Sequence, residues 1–158
     1  MAPYVEKGDI KILGEQSVKD WLPANALQIT ENVLTQFQNT IDGVLAPNDG
    51  TAGGVIQALA GQKMAGKVPV TGQDAELAAC KRIIAGTQLM TVYKSLNKLA
   101  TESAKMTVAL VKGENLPHPT VKNEGVDTMQ LEPINVTKEN IDLLVKDGFY
   151  TKEQIYGK

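Results

Sequence analysis

Apolar residues in this chain fall into two alternating kinds of run. Short ones of strand length are Ile10-Lys-Ile-Leu13, Val44-Leu-Ala46, Val68-Pro-Val70 and Leu89-Met-Thr-Val92, separated by longer stretches with helical spacing. Such alternation predicts βα units and a parallel sheet. A first strand is expected over residues 9–14. It leads into a helix at Pro23, where proline suits the first turn because its missing N–H would have no intrahelical partner anyway. Leu27, Val33, Leu34 and Phe37 supply that helix's buried face. A strand over 42–47 follows, and Asp49 is expected to cap a helix through Val55, Ile56 and Leu59. A strand over 67–72, a helix over 75–86 and a strand over 89–93 continue the alternation.

A longer amphipathic helix is predicted over 96–112. Leu96, Leu99, Met106 and Leu110 share one side of it, while Lys98, Glu102, Lys105 and Lys112 reach water. Residues 114–126, with Pro117, His118 and Pro119, read as a loop. A short strand is expected through Met129 and Leu131, then a small helix capped by Thr137 that carries Ile141, Leu144 and Val145. Thr151 and Gln154 match a capping box, so the last turn is expected to be ordered.

Four polar or aromatic positions stand just beyond the predicted strands: Trp21, the Asn48-Asp49 pair, Asp74 and Lys94. In an open parallel sheet, groups beyond the carboxyl ends of the strands face one crevice, where such folds bind ligands. An indole can cover the C–H face of a pyranose while its N–H stays wet. The alternative for Trp21 is a staple that pins its loop to the core. Asn48 offers both donor and acceptor, as a sugar hydroxyl does. Asp74 can accept from two hydroxyls, and charge-assisted bonds are the stronger kind. Lys94 neutralises that carboxylate and donates to a further hydroxyl. Together the four residues suit a small polyol, as a whole site or half of one.

Composition narrows the field. The 158 residues suffice for one domain with its own core, and hardly for two. A net charge of -2 with no basic stripe gives no electrostatic reason to expect nucleic acid. One cysteine, Cys80, excludes an internal disulfide and a thiol metal cluster. It shares a predicted helix face with Leu77, Ile83 and Ile84, which predicts a buried, inert thiol. No apolar run approaches a membrane span, and Met1–Glu6 is too polar and short for a secretory signal. No cofactor is implied.

The glycine-rich segment 47–54 could cradle phosphate at a helix N-terminus. It lacks the Lys-Ser/Thr ending of a P-loop and the spacing of a dinucleotide fingerprint. Its glycines are better read as allowing a helix to approach the sheet closely. His118 has no evident carboxylate or serine partner, and no serine elbow, paired catalytic carboxylates or metal-ligand spacing is present. The residues offer no reaction, so the chain is expected not to be an enzyme.

Longer motifs are more specific. Trp21-Leu-Pro-Ala-Asn-Ala26, Asn48-Asp-Gly-Thr-Ala-Gly-Gly-Val-Ile-Gln-Ala-Leu59, Gly72-Gln-Asp-Ala-Glu-Leu77, Arg82-Ile-Ile-Ala-Gly-Thr-Gln88, Met90-Thr-Val-Tyr-Lys94 and Lys146-Asp-Gly-Phe-Tyr150 resemble the D-xylose-binding family of receptors that serve bacterial ABC sugar importers. The resemblance runs over essentially the whole chain. It implies a three-layer α/β lobe of the type I periplasmic-binding-protein kind, with a mostly parallel sheet flanked by helices. By motif, Trp21 would be the stacking platform, and Asn48, Asp74 and Lys94 would hydrogen-bond D-xylose or a similar monosaccharide. Ser95 departs from the family, where proline is usual after the lysine. The resemblance further implies a periplasmic or lipid-anchored extracellular setting, and an ABC permease or a sensor kinase as membrane partner.

A complete member of that family is about twice as long. Residues 1–158 would then be a single domain, the C-terminal lobe without its first strand, and the N-terminal lobe would be a missing partner. The helix over 96–112 would belong to the other lobe. An unpaired strand edge and an uncovered apolar helix face invite pairing with another copy, so a homo-oligomer is expected, formed by exchange of that helix. Sugar affinity in isolation is expected to be weak. Two other functions share the fold: a xylose-sensing module that partners a membrane histidine kinase, and the effector-sensing core of a LacI-type repressor.

Overall fold

The computed structural model describes residues 1–116 and 121–157. His118 therefore lies outside the described residues. A short helix α1 (Ala2–Glu6) is followed by extended chain and one turn of 3-10 helix at Lys19–Trp21. Then come α2 (Pro23–Gln36), α3 (Asp49–Gly61), α4 (Leu77–Ala85), β1 (Thr91–Tyr93) and α5 (Leu96–Lys112). β2 (Val121–Asn123), β3 (Val126–Thr128), β4 (Ile134–Val136), α6 (Leu143–Lys146) and α7 (Lys152–Tyr156) complete the chain.

The expected sheet is present in order but narrow in extent. Residues 42–47 run parallel to 67–72, with Val44 N–H donating to Pro69 O (3.0 Å) and Thr71 N–H to Val44 O (3.1 Å). That second segment runs parallel to β1, through Leu89 N–H to Val70 O and Val92 N–H to Gly72 O, both 3.0 Å. β4 closes the edge antiparallel to β1, pairing Thr91 with Val136 and Tyr93 with Ile134. The helices divide over two apolar clusters. Under α2 and α3 lie Leu34, Val55, Leu59, Val68 and Val70. Cys80 and Ile83 of α4, Tyr93, Val136, Leu144 and Ile155 form the other. The α/β class holds.

Several local expectations do not. Residues 9–14 form no strand: the Asp9 and Ile10 amides donate back to Tyr4 O of α1, and Ile10 and Ile12 are exposed. Without a neighbour to complete a ladder, an alternating segment has no reason to stay extended as a strand. The strand expected at 129–131 lies instead at 134–136, where Val136 is fully buried. Part of the supposed loop over 114–126 is the first strand of the β2–β3 hairpin. Its turn uses positive φ at Glu124 (49°) and Gly125 (84°). The fourth helix begins at Leu77 rather than at residue 75, because Asp74 and Ala75 adopt positive φ (95° and 52°). Thr137 opens a turn closed by Asn140, and the helix after it is only four residues long. The Thr151–Gln154 capping box is present as read.

On α5 the apolar side is uncovered, as expected, while one polar position departs from expectation. Ser95 caps it, accepting from Lys98 N–H, so the departure from proline supplies a cap. Glu102, expected in water, is buried and bonded to Lys105 at 2.8 Å. Leu96, Leu99 and Leu110, on the face expected to lack a cover, are exposed, as are Val108 and Val111. No helix among the described residues is long and apolar enough to cross a membrane.

Asp49 ties these parts together. Asn48, not Asp49, is the N-cap of α3, in a reciprocal capping box with Thr51. Asp49 has no exposed surface, and its Oδ2 accepts from Glu76 N–H (2.9 Å) and Thr91 Oγ1 (2.8 Å). Its Oδ1 accepts from Gln88 Nε2 (2.8 Å), while Arg82 donates to the Asp49 carbonyl and to Gln88 Oε1. A buried carboxylate persists only with such donors. Room for it requires Gly72, where a Cβ would stand 2.0 Å from Oδ1. Gly54 serves a different approach from the one expected, letting α3 meet the start of α2 rather than the sheet: a Cβ there would stand 2.1 Å from the Pro23 carbonyl oxygen.

Two outcomes follow. Asp49→Asn places an amide donor against either Gln88 or the Glu76 amide, and Gln88 cannot flip without losing Arg82. The variant should unfold in urea with a loss of about 1–3 kcal/mol; an unchanged midpoint would contradict this account. Cys80 is fully buried, and burial pushes its thiol up to about 11. The native chain should resist a disulfide reagent at neutral pH and react at once in denaturant. Rapid native labelling would refute the buried placement.

Candidate functional site

Asn48, Asp74 and Lys94 lie on the loops beyond the sheet's parallel segments and are bound together by backbone, whereas Trp21 follows extended chain that forms no strand. Asp74 follows the segment 67–72, and Lys94 follows β1. Their side chains meet, Lys94 Nζ to Asp74 Oδ1 at 2.9 Å, both about two-fifths exposed. An exposed pair of this kind adds little stability. It leaves a carboxylate and an ammonium fixed and facing water. The Asp49 amide donates to Gln73 O at 2.9 Å, which fixes the Asn48 turn beside the Asp74 turn.

Gly50 marks the convergence. A Cβ built there would lie 3.7 Å from Glu76 Oε1 and 3.8 Å from both Asn48 Nδ2 and Pro23 Cγ. Three loops, 21–23, 48–50 and 74–76, therefore approach one another at the N-terminus of α3. Asn48 Oδ1 is committed to the cap, accepting from Thr51 N–H (2.9 Å) and Oγ1 (2.7 Å). Its Nδ2 remains a donor.

Trp21 stands two residues before Pro23, whose ring approaches Gly50. Asp20 and Trp21 both take positive φ (55° and 56°), and Pro23 starts α2 immediately after. Asn25 Nδ2 donates to Lys19 O (2.8 Å), tying the turn to the helix it precedes. The indole is 60% exposed. It belongs to neither apolar cluster, which argues against the staple and leaves a broad aromatic face beside water.

Electrostatics at the crevice are set by burial. Burial raises the Asp49 carboxyl above the ordinary range against the pull of Thr91, Gln88, the Glu76 amide and Arg82. Burial also raises Glu76, with the Asp49 charge adding to it. The sequence pointed to Asp49 as a cap beside Asn48, not as a buried hub, and did not point to Glu76. The available signal was the polar pair Gln88, just before the apolar run 89–92, and Thr91 within it, both of which are buried.

A separate open cavity of about 570 Å³ lies between the start of α5 and α6, lined by Tyr93, Ser95, Lys98, Glu102, Lys146 and Asp147 among others. Asp147 accepts from the Tyr93 hydroxyl and from Ser95 Oγ, and these bonds hold its carboxyl below the usual range. None of the four predicted residues lines this cavity.

Known proteins place the chain in a family. The family model described as a periplasmic binding protein domain matches residues 1–115. The D-xylose-binding periplasmic protein of Escherichia coli K12 is 50% identical over 159 residues, covering 98% of this chain and 48% of that protein. The protein of the same name from Haemophilus influenzae is 49% identical, again over 98% of this chain and 48% of its own length. Among solved structures, an ABC transporter solute-binding protein of Clostridium phytofermentans with bound β-D-glucose matches with a TM-score of 0.79. Its identity is 27%, and the match covers 98% of this chain and 52% of that one. The chain spans about half the length of the curated relatives it matches. By fold and by sequence, it belongs to the family of periplasmic binding protein domains.

Proposed function

We propose that this chain carries one wall of a binding site for D-xylose or a similar monosaccharide, in a receptor that serves an ABC importer of the bacterial periplasm. The observation that supports the reading is an exposed Trp21, whose loop meets the Asn48 and Asp74 loops around Gly50, together with the water-facing Asp74–Lys94 pair. A pyranose needs an apolar surface for one face and both donors and acceptors around its rim. Trp21 supplies the first. Asn48 Nδ2 and Lys94 donate, and Asp74 accepts. The relatives at 50% and 49% identity are named for D-xylose binding, which supports the choice of sugar. Binding, not turnover, is the role proposed, with the importer's membrane permease as partner.

The affinity of one wall is weak. A millimolar site corresponds to about 4 kcal/mol, so titration up to roughly 10 mM D-xylose by two-dimensional NMR is the suitable test. Saturable shifts should appear at the Trp21 indole N–H and around Asp74 and Lys94, with ribose weaker. Trp21→Ala or Asp74→Ala should each weaken binding at least about tenfold, the size expected for losing one good contact. Shifts that are absent, or that map elsewhere, would overturn the reading.

The proposal extends to self-association through α5. Its exposed arc of Leu96, Leu99, Leu110 and Val111 carries no charge, and only Glu102 and Ala109 of its 17 residues are buried. A second copy related by a two-fold axis presents the same face, so the contact is isologous, with exchange of α5 between protomers as its route. Light scattering should give a mass above monomer that rises with concentration, and Leu99→Lys with Leu110→Lys should abolish it. A monomer at all accessible concentrations would contradict this.

A further inference from the structure

The turn that carries Asp74 is held by an unusually complete set of backbone bonds. Gln73 O accepts from Asp49 N–H, and Asp74 N–H donates to Val92 O, both at 2.9 Å. Ala75 N–H donates to Thr91 Oγ1 at 3.1 Å, and Glu76 N–H donates to Asp49 Oδ2 at 2.9 Å. Four consecutive residues thus spend one backbone group each on Asp49, Thr91 or Val92. The turn needs this restraint. Asp74 and Ala75 both sit at positive φ, 95° and 52°, and neither is glycine. Side chains with a Cβ avoid that region, and such residues persist only where the surroundings over-determine them.

Thr91 is the hinge of the set. Its hydroxyl donates to Asp49 Oδ2 at 2.8 Å and accepts from Ala75 N–H, so one oxygen links the buried carboxylate to the strained turn. Thr91 itself is fully buried and cannot touch a ligand. The same strand leads directly into Lys94, whose ammonium holds the Asp74 carboxylate from outside. β1 therefore restrains Asp74 at both ends, through Thr91 and Val92 at the backbone and through Lys94 at the side chain.

We propose that Thr91, acting with Asp49, is a positioning residue that clamps the Asp74–Ala75 turn in its left-handed conformation and so aims the Asp74 carboxylate into the crevice. The ligand role of Asp74 rests on the sugar reading above; the clamp does not. Its contribution is pre-organisation, since a carboxylate already fixed loses less freedom when a sugar arrives.

Thr91→Val keeps the shape and removes both bonds, while Thr91→Ser keeps the hydroxyl. Amide hydrogen exchange should show Ala75 protected in the native chain, although it lies in neither helix nor strand. In Thr91→Val its exchange should accelerate about tenfold or more, the order expected for one buried bond lost, and Thr91→Ser should restore protection. The HN–Hα couplings of Asp74 and Ala75 should shift in the Val variant alone. D-xylose affinity should fall about tenfold in Thr91→Val, recover in Thr91→Ser, and show no further loss when Thr91→Val is added to Asp74→Ala, because coupled residues are not additive.

An Ala75 amide that exchanges at loop rates in the native chain overturns the clamp without any variant. Affinity that falls equally with and without the Asp74 carboxylate overturns the positioning role, since the effect would then be structural. If the native chain binds no xylose while the exchange results hold, the clamp stands and the sugar reading fails.

Discussion

Asp49 holds a carboxylate entirely out of water, and the crevice end of the domain hangs from its three hydrogen bonds. An ion in that position is costly to bury unless every lone-pair direction of consequence meets a donor. The chain meets that demand with a hydroxyl from β1, an amide side chain from the α4–β1 connection and the N–H that begins α4. In doing so it fixes where those segments stand relative to the start of α3. Gly72 follows from the same constraint, because no side chain fits beside Oδ1. The carboxyl's raised affinity for its proton shows that burial outweighs the donors.

How much of this was legible in the sequence depended on range. The helices at 23–36, 49–61 and 96–112 were readable because spacing, Pro23, a capping residue read at Asp49 one place past the true cap Asn48, and Gly113 are local signals. The capping box at Thr151 and Gln154 was readable for the same reason. The parallel order of the sheet followed from the alternation of run types. Its extent did not, since whether residues 9–14 become a strand depends on a neighbour and not on their own pattern. The role of Asp49 was hidden because its partners Gln88 and Thr91 lie 39 and 42 residues away. A good capping residue and a buried hub look alike until those partners are in place. The burial of Glu102 on α5 was likewise invisible, because periodicity identifies a face but not what covers it.

The candidate site shows a similar division. Trp21, Asn48, Asp74 and Lys94 were chosen because each ends a strand-length apolar run, and the fold does bring the loops at 21–23, 48–50 and 74–76 together around Gly50. What the pattern missed is that Asn48 serves the fold, its Oδ1 committed to the α3 cap, which leaves Nδ2 as the atom for the proposed ligand contact. It missed too that Asp74 is placed by backbone strain. Two adjacent residues at positive φ on the rim of a crevice are a cost that a purely structural turn could have avoided with glycine. Their presence is consistent with a carboxylate that must point one way.

The most direct measurement is a crystal structure of this chain soaked in D-xylose. The account predicts a pyranose lying flat on the Trp21 indole, its hydroxyls within hydrogen-bond distance of Asn48 Nδ2, the Asp74 carboxylate and Lys94 Nζ, with Asp74 still at positive φ. A sugar bound instead in the cavity between α5 and α6, or an indole folded onto the apolar core with the crevice empty, would contradict it.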